Sequence, residues 1–245
     1  DSWYTGRGIW TYSYLYNNVE KNGHYLDVAR RAVEFVLRAR PAGDAMWPRK
    51  MSRTGEVKSE PTDEIYGDMF IAQGLAEFAK ASGEARYREI AKEIVRKCVR
   101  VYDRPDYQPG IGRTYLGADA KLFPGARIGG AWMVFIYFTT QILERENDRE
   151  MAALSDRSID ALINRHYNPD FGLNNELVNH DLSRPDNEYA QLAYTGHSME
   201  TMWMLMDEAI RRRDRELFEL AGRRFRREFE VAWDDVYGGV FQGLF

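Results

Sequence analysis

His197 and Glu200 are the two residues whose types and spacing could carry chemistry most directly. They open an apolar segment, residues 201–206, that is typical of a helix, and residues three apart share one helix face. Glu200 could therefore hydrogen-bond the His197 ring and fix its tautomer, which would present one oriented proton-transfer group. A histidine at the head of an apolar helix can also be a capping or packing residue, so the pattern alone leaves a structural role open.

A second candidate is Arg7, which lies in an aromatic-rich segment and is predicted to be buried there. A buried guanidinium needs an acceptor. A structural salt bridge to Asp68 or Glu64 would supply one. The functional alternative is that Arg7 stabilises a developing oxyanion or holds a sugar oxygen.

The elements that must position these residues form a repeat. Four segments share one layout: an apolar helix, a short polar turn and an amphipathic helix with a charged stripe. Near-regular spacing of this kind marks a repeat architecture. We predict an all-α fold of helical hairpins, about four of the six in an (α/α)6 toroid. The equivalent positions in the second helices are Ala29, Ala91, Ser155 and Ala221.

The connections between hairpins are predicted to carry short β-hairpins that roof a central cavity. Strand signals lie in residues 46–59, 174–181 and 237–245, and the loop over residues 103–130 is too long for a simple connector. We expect residues 1–245 to form a single, partial α/α-barrel domain. The chain starts without an N-terminal lead and stops within an apparent strand, so we interpret it as the middle of a longer sequence.

Composition and charge limit the partners, the compartment and the metal chemistry to be expected. No run of eighteen apolar residues and no signal-peptide pattern occurs, and the net charge of −4 predicts neither a nucleic-acid nor a membrane partner. The lone Cys98 fits a reducing compartment, so we expect a cytoplasmic protein. The four histidines lack metal-ligand spacing, which predicts no metal. The 15 Tyr and 6 Trp could provide aromatic walls for a sugar ring.

The chain resembles the N-acylglucosamine 2-epimerase superfamily, which includes cellobiose 2-epimerases and aldose–ketose isomerases. The matching motifs run in order over essentially the whole chain, and the predicted hairpin repeat agrees with the α/α barrel of that family. These motifs are residues 6–13, 64–70, 175–176, 196–200 and 233–239.

The resemblance implies an enzyme that opens an aldose ring and removes the proton next to the carbonyl. The proton returns to the other face in an epimerase, or to C1 in an isomerase, through an enediol or enediolate. His197 matches the catalytic base and acid of the family, Glu200 its supporting carboxylate, and Arg7 the arginine near the reacting oxygens. Imidazole suits this role because its ordinary pKa is about 6.5. The residues expected to bind substrate are Tyr66, Trp10, Asp68, Asn175 and Glu176.

The implied substrate is a mono- or disaccharide, and no cofactor is implied. The sequence does not choose among N-acylated hexosamines, free mannose or glucose, and β-linked disaccharides, nor between an epimerase and an isomerase. The family places a second catalytic histidine near its C-terminus, whereas His197 is the last histidine here. We therefore expect little activity from these 245 residues alone. An open ring would also expose apolar edges, which favours self-association, for example as a homodimer.

Two other classes of protein stay open on the sequence alone. A glycoside hydrolase on a similar toroid would need two carboxylates roughly 5–10 Å apart across a cleft. A non-catalytic carbohydrate-binding protein would use the same aromatic cavity. The carboxylates that could serve a hydrolase are Glu64, Asp68, Glu176 and Asp181.

Overall fold

A computed structural model describes residues 1–110, 116 and 119–244. The chain divides into two compact units, Asp1–Pro124 and Gly125–Phe245. Each unit is built from two antiparallel helical hairpins, in agreement with the predicted repeat. That residues 1–245 form one domain, as expected from the sequence, stays a prediction. Residues 111–115, 117, 118 and 245, which belong to the predicted loop and the last predicted strand, lie outside the described residues.

Four long helices lie among the described residues of the first unit. Helix α1 packs against α2 and α3, and α3 packs against α4, so α1 and α3 form the inner pair. Helix α3 is buried along almost its whole length, whereas α2 and α4 bury one face each. The helices are α1 (Ser2–Asn18), α2 (Gly23–Arg38), α3 (Tyr66–Ser82) and α4 (Arg86–Tyr102).

Two glycines allow α1 and α3 to touch through their backbones. A Cβ on Gly6 would lie 2.5 Å from the Ile71 backbone nitrogen, and one on Gly74 would lie 2.7 Å from the Gly6 carbonyl oxygen. Any side chain at either position would force the helices apart. The glycine at position 6 in the motif around Arg7 is therefore explained by packing.

The second unit contains the other two hairpins and three short antiparallel strand pairs. Helix α5 packs against α6 and α7, and α7 packs against α8. A π-helix, Ala161–Arg165, continues α6. The helices are α5 (Gly129–Leu143), α6 (Arg149–Asp160), α7 (Thr195–Arg212) and α8 (Arg215–Ala232). The strands are β1 (Arg127–Ile128), β2 (Tyr167–Asn168), β3 (Leu173–Asn174), β4 (Leu177–Val178), β5 (Ala193–Tyr194) and β6 (Gly243–Leu244).

Local sequence signals set several helix ends. The side chains of Asn22, Asp148 and Asp214 accept hydrogen bonds from backbone N–H groups at the starts of α2, α6 and α8, as N-caps do. Gly83 ends α3 in the left-handed conformation, with φ of 75°. Polar residues between the two helices of a hairpin therefore mark the turns, as the sequence predicted.

The strand pairs fix the segments on either side of α7. β1 pairs with β4, β2 with β3, and β5 with β6. Because β5 leads directly into α7, its pairing with β6 anchors the first turn of that helix. The Thr195 backbone N–H and hydroxyl also donate to carbonyls of Gln242 and Phe241. In the first unit the predicted hairpin near residues 46–59 is reduced to a single bridge between Met51 and Val57.

Within the described ranges, none of the helices combines the length and apolar character that a bilayer crossing requires.

Candidate active site

The His197 ring forms a hydrogen-bonded pair with the Glu176 carboxylate. Nδ1 of His197 donates to Oε1 of Glu176 over 2.8 Å. His197 is the third residue of α7, in its first turn, and its side chain is 32% exposed against 4% for Glu176. A carboxylate can only accept, so the neutral ring carries its proton on Nδ1 and leaves Nε2 as the free base.

Backbone hydrogen bonds hold Glu176 on both sides. Its N–H donates to the Leu192 carbonyl over 2.6 Å, and its own carbonyl accepts from the Gly129 N–H over 2.8 Å. A Cβ on Gly129 would come within 3.4 Å of Oε2 of Glu176, so the glycine leaves room for the carboxylate. The first residue of α5 and the residue preceding β5 thus fix the segment that orients the imidazole.

The electrostatics favour a charged imidazole. The Glu176 carboxylate raises the pKa of His197 above 6.5, burial opposes that rise, and Glu200 adds a smaller upward contribution. The Tyr194 ring meets the imidazole edge-on at 5.6 Å. Among the described residues Nε2 has no hydrogen-bond partner. The pair can therefore take up a proton at Nε2 while Glu176 stabilises the imidazolium.

Glu200 does not occupy the place that the sequence predicted for it. Its side chain is exposed, and within the described part of the chain no hydrogen bond joins it to His197. Spacing on one helix allowed the contact, but a loop residue reaches the ring instead. The contact predicted for Glu200 therefore belongs to Glu176, which had been expected to bind substrate.

Asn175 is also placed differently from the expectation that it binds substrate. It is 4% exposed, its Nδ2 donates to the Ala190 carbonyl over 2.8 Å, and its Oδ1 accepts from Asn168 over 3.3 Å. Its carbonyl also accepts from Nδ1 of the buried His166 over 2.7 Å. With both ends of its side chain engaged inside the protein, Asn175 organises the loop that carries Glu176.

Arg7 lies in the first unit and is exposed, so the prediction that it is buried is wrong. Its guanidinium carbon lies 4.1 Å from the Phe70 ring centroid and 6.0 Å from that of Trp3. No salt bridge to Asp68 or Glu64 forms. The Phe70 and Trp3 rings face the guanidinium itself, and no carboxylate among the described residues engages its charge.

Arg49 is a second cation on the same aromatic surface, and it was not predicted from the sequence. Its guanidinium carbon lies 5.6 Å from the Trp3 centroid. Burial raises the pKa of the half-buried Glu64 and the charge of Arg49 lowers it. No sequence signal could reveal this pairing, because the loop between α2 and α3 brings Arg49 to Trp3.

The two predicted aromatic contacts differ in exposure. Tyr66 is 7% exposed and packs at 5.3 Å from Trp3 and 6.4 Å from Phe70. Trp10 is half-buried and stacks on Tyr14 at 4.8 Å. Tyr66 thus lies on the surface that carries Arg7, while Trp10 belongs to a stack one turn further along α1.

Asp68 forms a buried structural ion pair, which corrects the prediction that it binds substrate. Oδ2 lies 2.5 Å from Nζ of Lys97, and Oδ1 accepts from the Trp47 N–H over 2.8 Å. The Asp68 side chain is 0% exposed, which leaves no face for a ligand. Burial raises its pKa, and Lys97 acts in the opposite direction.

The carboxylates proposed for a hydrolase are mostly engaged elsewhere. Asp68 is paired with Lys97, Glu176 with His197, and the exposed Asp181 accepts from the Ser183 hydroxyl over 2.6 Å. Glu64 alone of the four is neither exposed nor held in a hydrogen-bonded pair. In the described ranges no group of three or more His, Cys, Asp or Glu could hold a metal ion.

The arrangement of hairpins is shared with solved structures, which places the chain among α/α-toroid proteins. The cellobiose 2-epimerase from Bacillus thermoamylovorans aligns with a TM-score of 0.77 at 14% identity, over 99% of this chain and 63% of that one. A D-mannose isomerase aligns with a TM-score of 0.74 at 10% identity, over 99% and 64%.

The sequence comparison defines the family. The family model for N-acylglucosamine 2-epimerase matches residues 1–245, so the chain belongs to the N-acylglucosamine 2-epimerase family. It is 27% identical to the N-acylglucosamine 2-epimerases of Mus musculus and Homo sapiens. The alignments cover 98% of this chain but only 57% and 56% of those relatives, so the chain spans little more than half their length.

Proposed function

We propose that this protein is a sugar 2-epimerase or aldose–ketose isomerase that transfers a proton at C2 of an open-chain aldose. The observation that carries the proposal is the 2.8 Å hydrogen bond between Nδ1 of His197 and Oε1 of Glu176, which leaves Nε2 free. Membership of the N-acylglucosamine 2-epimerase family supports it, as does the likeness to a cellobiose 2-epimerase and a D-mannose isomerase.

In this proposal Nε2 of His197 removes the proton from C2. The electron pair of the broken C–H bond forms the C1–C2 double bond, and negative charge develops on the oxygen at C1. Glu176 stabilises the imidazolium that results, so it acts as a positioning residue and His197 as the catalytic one. General base catalysis by such a group contributes about 10²–10⁴ in rate.

The proton then returns by one of two routes. Transfer of the proton on the C2 oxygen to the C1 oxygen, followed by delivery of the proton from His197 to C1, forms the C2 carbonyl and gives a ketose. Epimerisation at C2 instead needs a proton on the opposite face from a second donor. We also propose that Arg7 binds a sugar oxygen and that Tyr66 contacts the sugar. The role of Arg7 is supported by its guanidinium, which has no carboxylate partner among the described residues and lies against the Trp3 and Phe70 rings. The role of Tyr66 is supported by its packing against Trp3, on the same aromatic surface.

We further infer that the protein acts in a reducing compartment such as the cytoplasm. Cys98 is a buried free cysteine, and burial raises its pKa well above the ordinary value, so the thiolate is strongly disfavoured. A structural thiol of this kind suits a compartment in which disulfides do not form.

The function is tested by incubating the full-length protein with a panel of aldoses in heavy water. The panel contains an N-acylated hexosamine, mannose, glucose and a β-linked disaccharide. We expect deuterium at C2 of an epimeric aldose, or at C1 of a ketose, for at least one sugar. Cleavage of the disaccharide without exchange would indicate a hydrolase. Binding without exchange for every sugar would indicate a carbohydrate-binding protein.

A further inference from the structure

Glu228 is a buried carboxyl group on a helix whose other acidic residues are exposed. It lies on α8 and is 1% exposed, whereas Arg226, Arg227 and Glu230 on the same helix are exposed. Burying a carboxyl group is costly unless the protein provides partners for it. Its partners therefore indicate what the burial achieves.

The carboxyl group of Glu228 makes its hydrogen bond to the loop that carries Glu176. Oε1 accepts from the Asn174 N–H over 3.0 Å, at the end of β3. Asn174 itself is 5% exposed, and its Nδ2 donates to the Leu162 carbonyl over 3.1 Å. Glu228 thus fixes the backbone two residues before Glu176.

Glu228 is also close to the helix that carries His197. Helix α8, on which Glu228 lies, packs against α7. The Ser198 hydroxyl, in the first turn of α7, is among the groups that lower the pKa of Glu228, but Oε2 accepts no hydrogen bond among the described residues. The geometric link from Glu228 to the pair therefore runs through Asn174 and the loop that carries Glu176.

The nearby arginines do not hold this carboxyl group in a salt bridge. Nη1 of Arg224 donates to the Ile163 carbonyl over 2.8 Å, and Nη2 of Arg227 donates to the Phe171 carbonyl over 3.0 Å. Each guanidinium is therefore committed to a backbone carbonyl. The hydrogen bond that Glu228 does accept comes from Asn174, in the segment that leads to Glu176.

We propose that Glu228 is a positioning residue that sets the separation of Glu176 from the His197 ring by tying the end of β3 to α8, the helix that packs against the His197 helix α7. The effect of Glu228 on turnover rests on the proposed function, whereas its effect on the pKa of the His197 ring does not. His166 supports the same loop independently, since its Nδ1 donates to the Asn175 carbonyl over 2.7 Å.

The charge of Glu228 changes near neutrality, which determines the conditions of a test. Burial raises its pKa to about 7, against the lowering effects of the Asn174 N–H, the Ser198 hydroxyl, Arg224 and Arg227. Above that pH the ionised carboxylate is the stronger acceptor for the groups that face it from β3 and α7. The hydrogen bond from Nδ1 of His197 to Glu176 is therefore best observed at about pH 8.

The test is an NMR titration of His197 in full-length protein with labelled histidines. In Glu228→Ala we expect the pKa of His197 to fall toward the ordinary value of 6.5, and the low-field Nδ1–H resonance to weaken. In Glu228→Gln the side-chain carbonyl still accepts from Asn174, so both signals should stay near wild type. The exposed Glu230→Ala is the matched control on the same helix and should change neither.

Two further variants separate positioning from stability. Glu228→Asp shortens the side chain by one methylene, which withdraws the carboxylate from the Asn174 N–H, and should lower the pKa of His197 in the same direction even where Glu228→Ala fails to fold. Glu208→Gln alters another buried glutamate of the same unit and should lower stability without moving this pKa. The proposal is overturned when Glu228→Ala, or Glu228→Asp where the alanine variant does not fold, keeps the wild-type titration of His197. A wild-type titration in these variants contradicts positioning alone, whereas absence of proton exchange at C2 contradicts the proposed function alone.

Discussion

Asp68 and Lys97 form an ion pair that ties the inner helix α3 to the outer helix α4, with 2.5 Å between Oδ2 and Nζ. Nζ of Lys97 also donates to the Ala45 carbonyl over 2.8 Å, and the same cation lies 4.8 Å from the Trp47 ring centroid. Both side chains are more than nine-tenths buried. The pair therefore fixes the loop after α2 as well as the two helices.

Asp68→Asn should destabilise the protein by about 3–5 kcal/mol, because it leaves the Lys97 ammonium buried without a counter-charge. Denaturant unfolding measures the loss. The control is Glu93→Gln, which removes a more exposed partner of Arg40 and should cost about 0.2–1 kcal/mol. Activity per folded molecule should not change in Asp68→Asn. A raised KM with normal stability would instead support the substrate-binding role predicted from the sequence.

The two glycines that flank Arg7 should respond to alanine in opposite directions. Gly6→Ala places a methyl group against the backbone of α3 and should destabilise by at least about 1–3 kcal/mol. Gly8 has nothing within 4 Å of an added Cβ, so Gly8→Ala should stabilise α1 by about 0.5–1 kcal/mol. Thermal or denaturant unfolding of the two variants side by side checks this. Equal effects of the two substitutions would contradict the close contact between α1 and α3.

Glu208 should contribute stability that acid removes. Burial alone would raise its pKa, but hydrogen bonds from Arg211, Arg212, Thr140 and Ser155 lower it to about 2. The folded-state pKa is thus below the ordinary 4.5, so the contribution is complete above pH 4.5 and is lost as pH falls through about 2. The difference corresponds to at most about 3 kcal/mol.

Denaturant unfolding as a function of pH tests this contribution. Glu208→Gln should be less stable than wild type at neutral pH, and the gap should narrow as the pH falls. Glu219→Gln removes an exposed i,i+4 partner of Arg215 and should give a parallel curve with little offset. A gap for Glu208→Gln that stays constant down to pH 2 would contradict the assigned pKa.

Glu176 rather than Glu200 should control the charge of the His197 ring. In Glu176→Gln the dominant upward effect on the pKa of His197 is lost, so the pKa should fall toward or below 6.5, since burial still lowers it. In Glu200→Gln the fall should be small, because Glu200 makes the least of the upward contributions. Histidine NMR titration measures both. A larger fall in the Glu200 variant would restore the partner predicted from the sequence.

The repeat could be predicted from the sequence because local periodicity encodes which face of a helix is buried. The four equivalent positions in the second helices, Ala29, Ala91, Ser155 and Ala221, are all 0% exposed. The one serine among the alanines has a structural reason as well, since its hydroxyl donates to Oε1 of Glu208 over 2.9 Å. A hydroxyl is retained in the core where a buried carboxylate needs a donor.

The site could be predicted only in part, because long-range contacts decide its chemistry. Glu176 precedes His197 by 21 residues and reaches it through a loop, which helical spacing cannot indicate. The exposure of Arg7 and the burial of Asp68 depend on which helix packs against which. Helical spacing favoured Glu200, on the same helix, as the partner of His197, whereas the ring pairs with Glu176.

The role of His197 is tested most directly by the rate of deuterium exchange at C2 of an accepted aldose in heavy water. We expect His197→Asn in the full-length protein to lower this rate by about 10²-fold or more, because the catalytic base is lost. His24→Asn, at an exposed position on α2, should keep the wild-type rate. Exchange at an undiminished rate in His197→Asn would contradict the assignment of this imidazole as the proton-transfer group.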